Sequence, residues 1–186
     1  MTTRDAWSSA ITSAVAAVPD EEFLRVAELI LSSRLVLTAG NGGSAALASH
    51  AAQAISKPDY GPGGGRAAMC LTDLVSTLTA HANDGGWPTA LVEVARPFLA
   101  VEGVCLFVIS SSGKSENVVR VAELFREAGR PVIALTGFSG KPLRDLATLS
   151  LHVDSSDYEV IEPVHDAFLH RVQYHVRNLG RVPAGG

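Results

Sequence analysis

The stretch VCLFVISSSGKSENVVRVAELFREAG, residues 104–129, passes from an apolar run through a polar turn into a helical pattern. Val104 to Ile109 is continuously apolar, as a strand covered on both faces would be. From Ser115 to Ala128 the apolar residues Val118, Val119, Val121, Ala122, Phe125 and Ala128 fall on one helical stripe, and Gly129-Arg130-Pro131 supplies the stop. The unit is therefore strand, loop, helix. Four further runs have the same strand character: Arg34 to Ala39, Arg66 to Thr72, Pro131 to Thr136 and Leu149 to Val153. Their alternation with helical patterns predicts an α/β fold, a three-layer αβα sandwich around a five-stranded parallel sheet.

Outside these units, an N-terminal helical stretch breaks near Pro19-Asp20, where Asp20 is placed to cap a new helix, and a long helix from about Val160 to Leu179 closes the chain. The predicted organisation is a helical segment over 1–33, one domain over 34–180 and a frayed tail over 181–186. Gly61-Pro62-Gly63-Gly64-Gly65 reads as a mobile loop. At 186 residues, 47% apolar and 18% charged, the chain suits one globular domain, burying roughly two-thirds of its unfolded surface. A net charge of −4 without any Lys/Arg run argues against nucleic acid or an anionic membrane as partner. No stretch reaches the ~20 apolar residues of a membrane helix, and no signal-type apolar core follows Arg4. Cys70 and Cys105 lie in apolar runs and are expected to be buried free thiols, which suits a reducing cytoplasm.

Ligands of parallel sheets gather at the carboxyl ends of the strands. After the first strand comes Gly40-Asn41-Gly42-Gly43-Ser44, whose glycines let a ligand approach backbone N–H groups while Asn41 and Ser44 offer side-chain hydrogen bonds. After the third comes Ser110-Ser111-Ser112-Gly113-Lys114-Ser115, where four hydroxyls and a helix start form a cradle for a phosphate dianion. Capping alone would need one serine. The spacing is not that of a Walker loop, so ATP is not implied. After the second strand Asp73 opens a helix and Asn83-Asp84-Gly85-Gly86 follows it, offering an amide and a carboxylate to sugar hydroxyls.

His50 lies in the helix after the glycine loop, with Gln53 on the same face. Glu162, His165, Asp166 and His170 begin the last helix, where positions 162, 166 and 170 stack at i, i+4, i+8. As a group they suit an acid/base pair or a divalent metal site. His81, His152 and His175 are read as structural or surface residues. No Ser-His-Asp order or GxSxG elbow is present, which removes acyl hydrolysis.

Gly40-Asn-Gly-Gly-Ser44 followed by His50, then Asn83-Asp84, Ile109 to Ser115 with Asn117-Val118, Ala134-Leu-Thr-Gly137, and Ile161-Glu-Pro-Val-His165 with His170 together resemble the sugar isomerase (SIS) domain family. Within it they resemble the phosphoheptose isomerases, which convert sedoheptulose 7-phosphate to D-glycero-D-mannoheptose 7-phosphate. The resemblance runs from about Leu35 to Arg177 and implies a flavodoxin-like fold. It further implies that Asn41, Gly42, Gly43, Asn83, Asp84, Ser110, Ser111, Ser112 and Ser115 contact a sugar phosphate, and the loop chemistry adds Ser44 to the expected substrate-binding residues. A cytoplasmic homotetramer with active sites at subunit interfaces is implied as well, with a zinc ion in some members on ligands that map to His50, Glu162 and His170.

The pattern departs from the family four residues after His50. There the family has a glutamate that is both ligand and base, and this chain has Ala54. Where the family usually has glutamine, this chain has Glu162. We expect Glu162 to supply the missing base, His170 the acid, and His50, or a zinc bound by His50, Glu162 and His170, the polarisation of the carbonyl. Two alternatives stand beside this: a non-catalytic paralogue that binds a phosphosugar or a protein partner, of the replication-initiator-binding type, and an isomerase of another long-chain ketose phosphate.

Overall fold

The structure, a computed structural model, describes residues 3–57 and 65–180. The glycine-rich patch lies, apart from Gly65, outside the described residues, as does the tail 181–186. Five parallel strands, β1 (Leu35–Ala39), β2 (Ala67–Cys70), β3 (Val104–Ser110), β4 (Val132–Thr136) and β5 (Leu149–His152), lie in the order β2-β1-β3-β4-β5. Pairing is in register from Leu35 opposite Val104 to Ala39 opposite Val108, and from Leu106 opposite Val132 to Ser110 opposite Thr136. This is the flavodoxin-like order, whose direction of winding reverses between β1 and β3. A crevice opens there at the carboxyl ends of both strands.

The central strands β1, β3 and β4 are covered by helices on both faces, which is why they are almost wholly apolar. Cys105, Phe107 and Ile109 of β3 face one core with α2 (Asp20–Ser32), α3 (Gly43–Ser56) and α8 (Tyr158–Gly180), whereas Val104, Leu106 and Val108 face the other with α5 (Trp87–Ala95) and α6 (Glu116–Glu127). Two further helices, α4 (Val75–Gly85) and α7 (Leu143–Leu146), lie with that second layer. Both cysteines are free and buried, and burial pushes the Cys105 thiol up to about 12, so it stays protonated in the core.

The N-terminal helix α1 (Arg4–Ala16) is fastened through a defect in α8. Pro163 inside α8 has no N–H to give to the carbonyl of Glu159, and the Trp7 indole N–H donates to that oxygen instead at 2.9 Å. Asp20 does not cap α2. Pro19 holds the cap position without a side-chain bond, and Asp20, the first helical residue, accepts from Arg171 Nε at 2.6 Å and contacts His175 Nε2 at 3.1 Å on α8. These two bonds hold the Asp20 carboxyl down at about 2. Its stabilising contribution is therefore present above the usual carboxylate range and lost as pH falls from about 4 towards 2. In acid titrations followed by circular dichroism, D20N is expected to lack the part of the unfolding slope that the wild type shows in that window.

Candidate functional site

The loop after β1 and the loop after β3 meet at the crevice. The Asn41 and Asn117 amides donate to each other's oxygens at 2.9 Å, and Asn117 is 1% exposed at the start of α6. Asn41, expected on the sugar, thus spends its side chain fastening one loop to the other. Gly42 takes φ +55° to turn the chain into α3, and Ala45 N–H donates to its carbonyl at 3.0 Å.

The serine loop is built inward. Ser110 and Ser111 are 5% exposed. Gly113 N–H donates to both the carbonyl and the hydroxyl of Ser110, at 3.1 and 3.2 Å, and Lys114 N–H to the Ser112 hydroxyl at 3.2 Å. Ser115 stands at the cap of α6, yet its hydroxyl makes no capping bond. Among the described residues the Ser111 hydroxyl is buried without a partner. A buried orphan hydroxyl beside the free N–H groups of a twelve-residue helix is what an anion site provides.

Beside this loop a cleft of about 310 Å³ is lined by Gly43, Ser44, Leu47 and His50 of α3, Ile109 of β3, and Glu162, His165 and Asp166 of α8, at the small end of the range for small-molecule sites. Glu162 packs on Gly43, where an added Cβ would come within 3.2 Å of Glu162 Oε2. Its carboxylate therefore lies at the N-terminal end of α3, a favoured position for an anion. His50 Nδ1 lies 3.6 Å from Asp166 Oδ1 and His170 Nε2 4.0 Å from the same atom. The two imidazole rings stand edge to face, 5.3 Å apart.

The carboxylate between the histidines is therefore Asp166. Glu162, expected in that place, stands one turn earlier. Ala54, where the family carries its glutamate, is 3% exposed, and its neighbour Gln53 is exposed. Asn83 and Asp84 do not follow α4 but form its last turn, which ends at Gly86 with φ +85°. They are exposed, bonded to each other at 3.1 Å, and absent from the cleft lining. Asp73 ends a 3-10 turn before α4 rather than opening the helix, and its carboxylate accepts from the Ser49 hydroxyl at 2.7 Å.

Of the remaining histidines, His175 joins Asp20 and His152 meets the Thr136 hydroxyl at 3.0 Å. His165 belongs by sequence to the group on α8 that suits an acid/base pair or a metal site. It is 1% exposed and bonded to the Thr136 backbone, and its Nε2 has no partner among the described residues. Burial pushes its pKa down from 6.5 to about 4, so it is neutral at physiological pH and presents a bare acceptor. Between those values the unfolded chain binds a proton that the native state refuses. Stability should then fall by on the order of 3 kcal/mol as pH drops from 6.5 to about 4. Urea melts at neutral pH and near pH 4 should show this loss in the wild type and its absence in H165L.

Comparison with known proteins places these features in one group. The SIS domain model matches residues 8–137. A phosphoheptose isomerase of Mycobacterium tuberculosis is 39% identical over 77% of this chain and 72% of its own, and one of Aliarcobacter butzleri 34% identical over 83% and 82%. Lincomycin biosynthesis protein LmbN of Streptomyces lincolnensis is 34% identical over 79% of this chain, which spans only 55% of LmbN. The solved phosphoheptose isomerase GmhA of Neisseria gonorrhoeae superposes with a TM-score of 0.82 at 30% identity, covering 92% of this chain and 93% of its own.

Proposed function

Because the chain belongs to the SIS domain family, we propose that it is a ketose–aldose isomerase of a phosphorylated sugar, sedoheptulose 7-phosphate foremost. One observation carries this reading: a cradle whose Ser111 hydroxyl is buried without a partner among the described residues adjoins a cleft lined by Glu162 and His50, with the His170 ring against that of His50. The relatives named phosphoheptose isomerase support it.

The phosphate sits in the loop of Ser110, Ser111, Ser112 and Ser115, stabilised by hydroxyls and the N-terminus of α6. The carbonyl end then extends towards α8. Glu162 takes the proton from the carbon beside the carbonyl, and His170 protonates the carbonyl oxygen with His50 beside it, giving an enediol. Glu162 returns the proton to the former carbonyl carbon while His170 takes the proton of the hydroxyl on the neighbouring C1, which becomes the aldehyde, so both residues are restored and the aldose forms with no net redox change. His165, neutral, accepts from a sugar hydroxyl. Where His50 and His170 hold a divalent ion instead, that ion would supply Lewis-acid polarisation of the carbonyl in place of the proton from His170. The protein works in the cytoplasm as a homotetramer, with the 1–33 segment in its contacts.

Two observations favour other readings of the same site. Ala54 in place of the family's glutamate favours a paralogue that binds a phosphosugar or a protein without turning it over. The likeness to a lincomycin biosynthesis protein favours an isomerase of another long-chain ketose phosphate, one that serves antibiotic biosynthesis. Incubation with sedoheptulose 7-phosphate and with an octulose phosphate, each with and without zinc, separates the three. The proposed function predicts an aldose phosphate from the heptulose; none from either sugar would favour the binding paralogue.

A further inference from the structure

We infer that Asp166 is the carboxylate that closes a divalent-cation site with His50 and His170, and that Glu162 stays off the ion. One nitrogen from each histidine and one oxygen of Asp166 lie within 4.8 Å of one another. The two contacts to Asp166, at 3.6 and 4.0 Å, are too long for hydrogen bonds. Histidine–carboxylate bonding therefore does not explain why the three groups converge. They are close to the edges of about 3.4 Å expected between ligands of a four-coordinate ion with bonds near 2.1 Å. Asp166 and His170 are one turn apart on α8, and His50 faces them from α3. All three side chains are partly exposed, at 39%, 52% and 58%, and two of them, His50 and Asp166, line the cleft.

The division also suits the chemistry. A carboxylate bound to a dication loses basicity, so one group serves poorly as both ligand and proton acceptor. Asp166 on the ion and Glu162 against Gly43 keep the two tasks apart. The role of Glu162 rests on the function proposed above; the cation site does not.

The test is binding of Co2+ alone, followed by its visible ligand-field absorption, with zinc affinity measured by competition against a chromophoric chelator. The wild type should bind one ion per chain with a four-coordinate spectrum. D166N should weaken zinc by more than the roughly 10- to 100-fold that loss of a merely supporting group costs. E162Q should leave affinity and spectrum unchanged. No binding by the wild type, or loss of the ion in E162Q with retention in D166N, would overturn the assignment. Because the readout is binding alone, failure of the wild type to take up the ion would sink the cation site and leave the isomerase to its own assay. Metal binding without turnover would do the reverse.

Discussion

Replacing Glu162 with glutamine should cut the isomerisation rate by about 10²- to 10⁴-fold, the span general-base catalysis supplies, while sedoheptulose 7-phosphate still binds. The substitution keeps size and hydrogen bonding and removes only the ability to take a proton. Glu162 is exposed and carries no core packing, so the fold should be untouched. The phosphate cradle is contributed by β3 and α6, separate elements from the helix that bears Glu162, so affinity and rate should come apart: kcat collapses and KM stays. Steady-state kinetics with a thermal shift induced by the sugar phosphate reads both. Unchanged turnover would remove Glu162 from the reaction, and joint loss of binding would mean that it holds substrate.

The second large effect is expected at Gly113. Its φ of +68° is a conformation that costs a residue with a side chain roughly 1–2 kcal/mol. An added Cβ would also overlap the carbonyl of Gly140, and Gly113 accepts from Leu143 N–H at 3.2 Å. G113A must therefore push the serine loop away from the 137–143 segment that supports it, where Gly137 N–H donates to the Ser111 carbonyl at 2.8 Å. We expect a loss of about 2–3 kcal/mol, or roughly 5–10 °C in Tm, together with loss of sugar-phosphate binding. Calorimetry checks the first and titration with sedoheptulose 7-phosphate the second. A variant of full affinity would show that the loop is not the phosphate site.

The layer order was legible because β1, β3 and β4 are covered on both faces and so read as unbroken apolar runs, with the loops between them carrying all the polar chemistry. What the sequence hid is contact across distance. Asp20 has the composition of a cap, but a guanidinium and an imidazole from α8 claim its carboxylate. Asn41 looks free to bind sugar until Asn117 is found against it. Positions 162, 166 and 170 form one row on α8, and helical spacing alone gives no reason to prefer Asp166 over Glu162 beside His50, because that choice depends on where α3 crosses. Asn83 and Asp84 carried ordinary turn chemistry, and the structure uses them at the end of α4, on the surface.

The central claim is that a carboxylate on α8 moves a proton on a bound ketose phosphate. Proton NMR of sedoheptulose 7-phosphate incubated in D2O tests it most directly, since an enediol formed at Glu162 exchanges its proton with solvent. The account predicts deuterium at C1 of the recovered ketose and C2 of the aldose with the wild type, and neither with E162Q. A wild-type protein that binds the sugar phosphate yet yields neither deuterium nor aldose, or E162Q that labels as fast as the wild type, would contradict it.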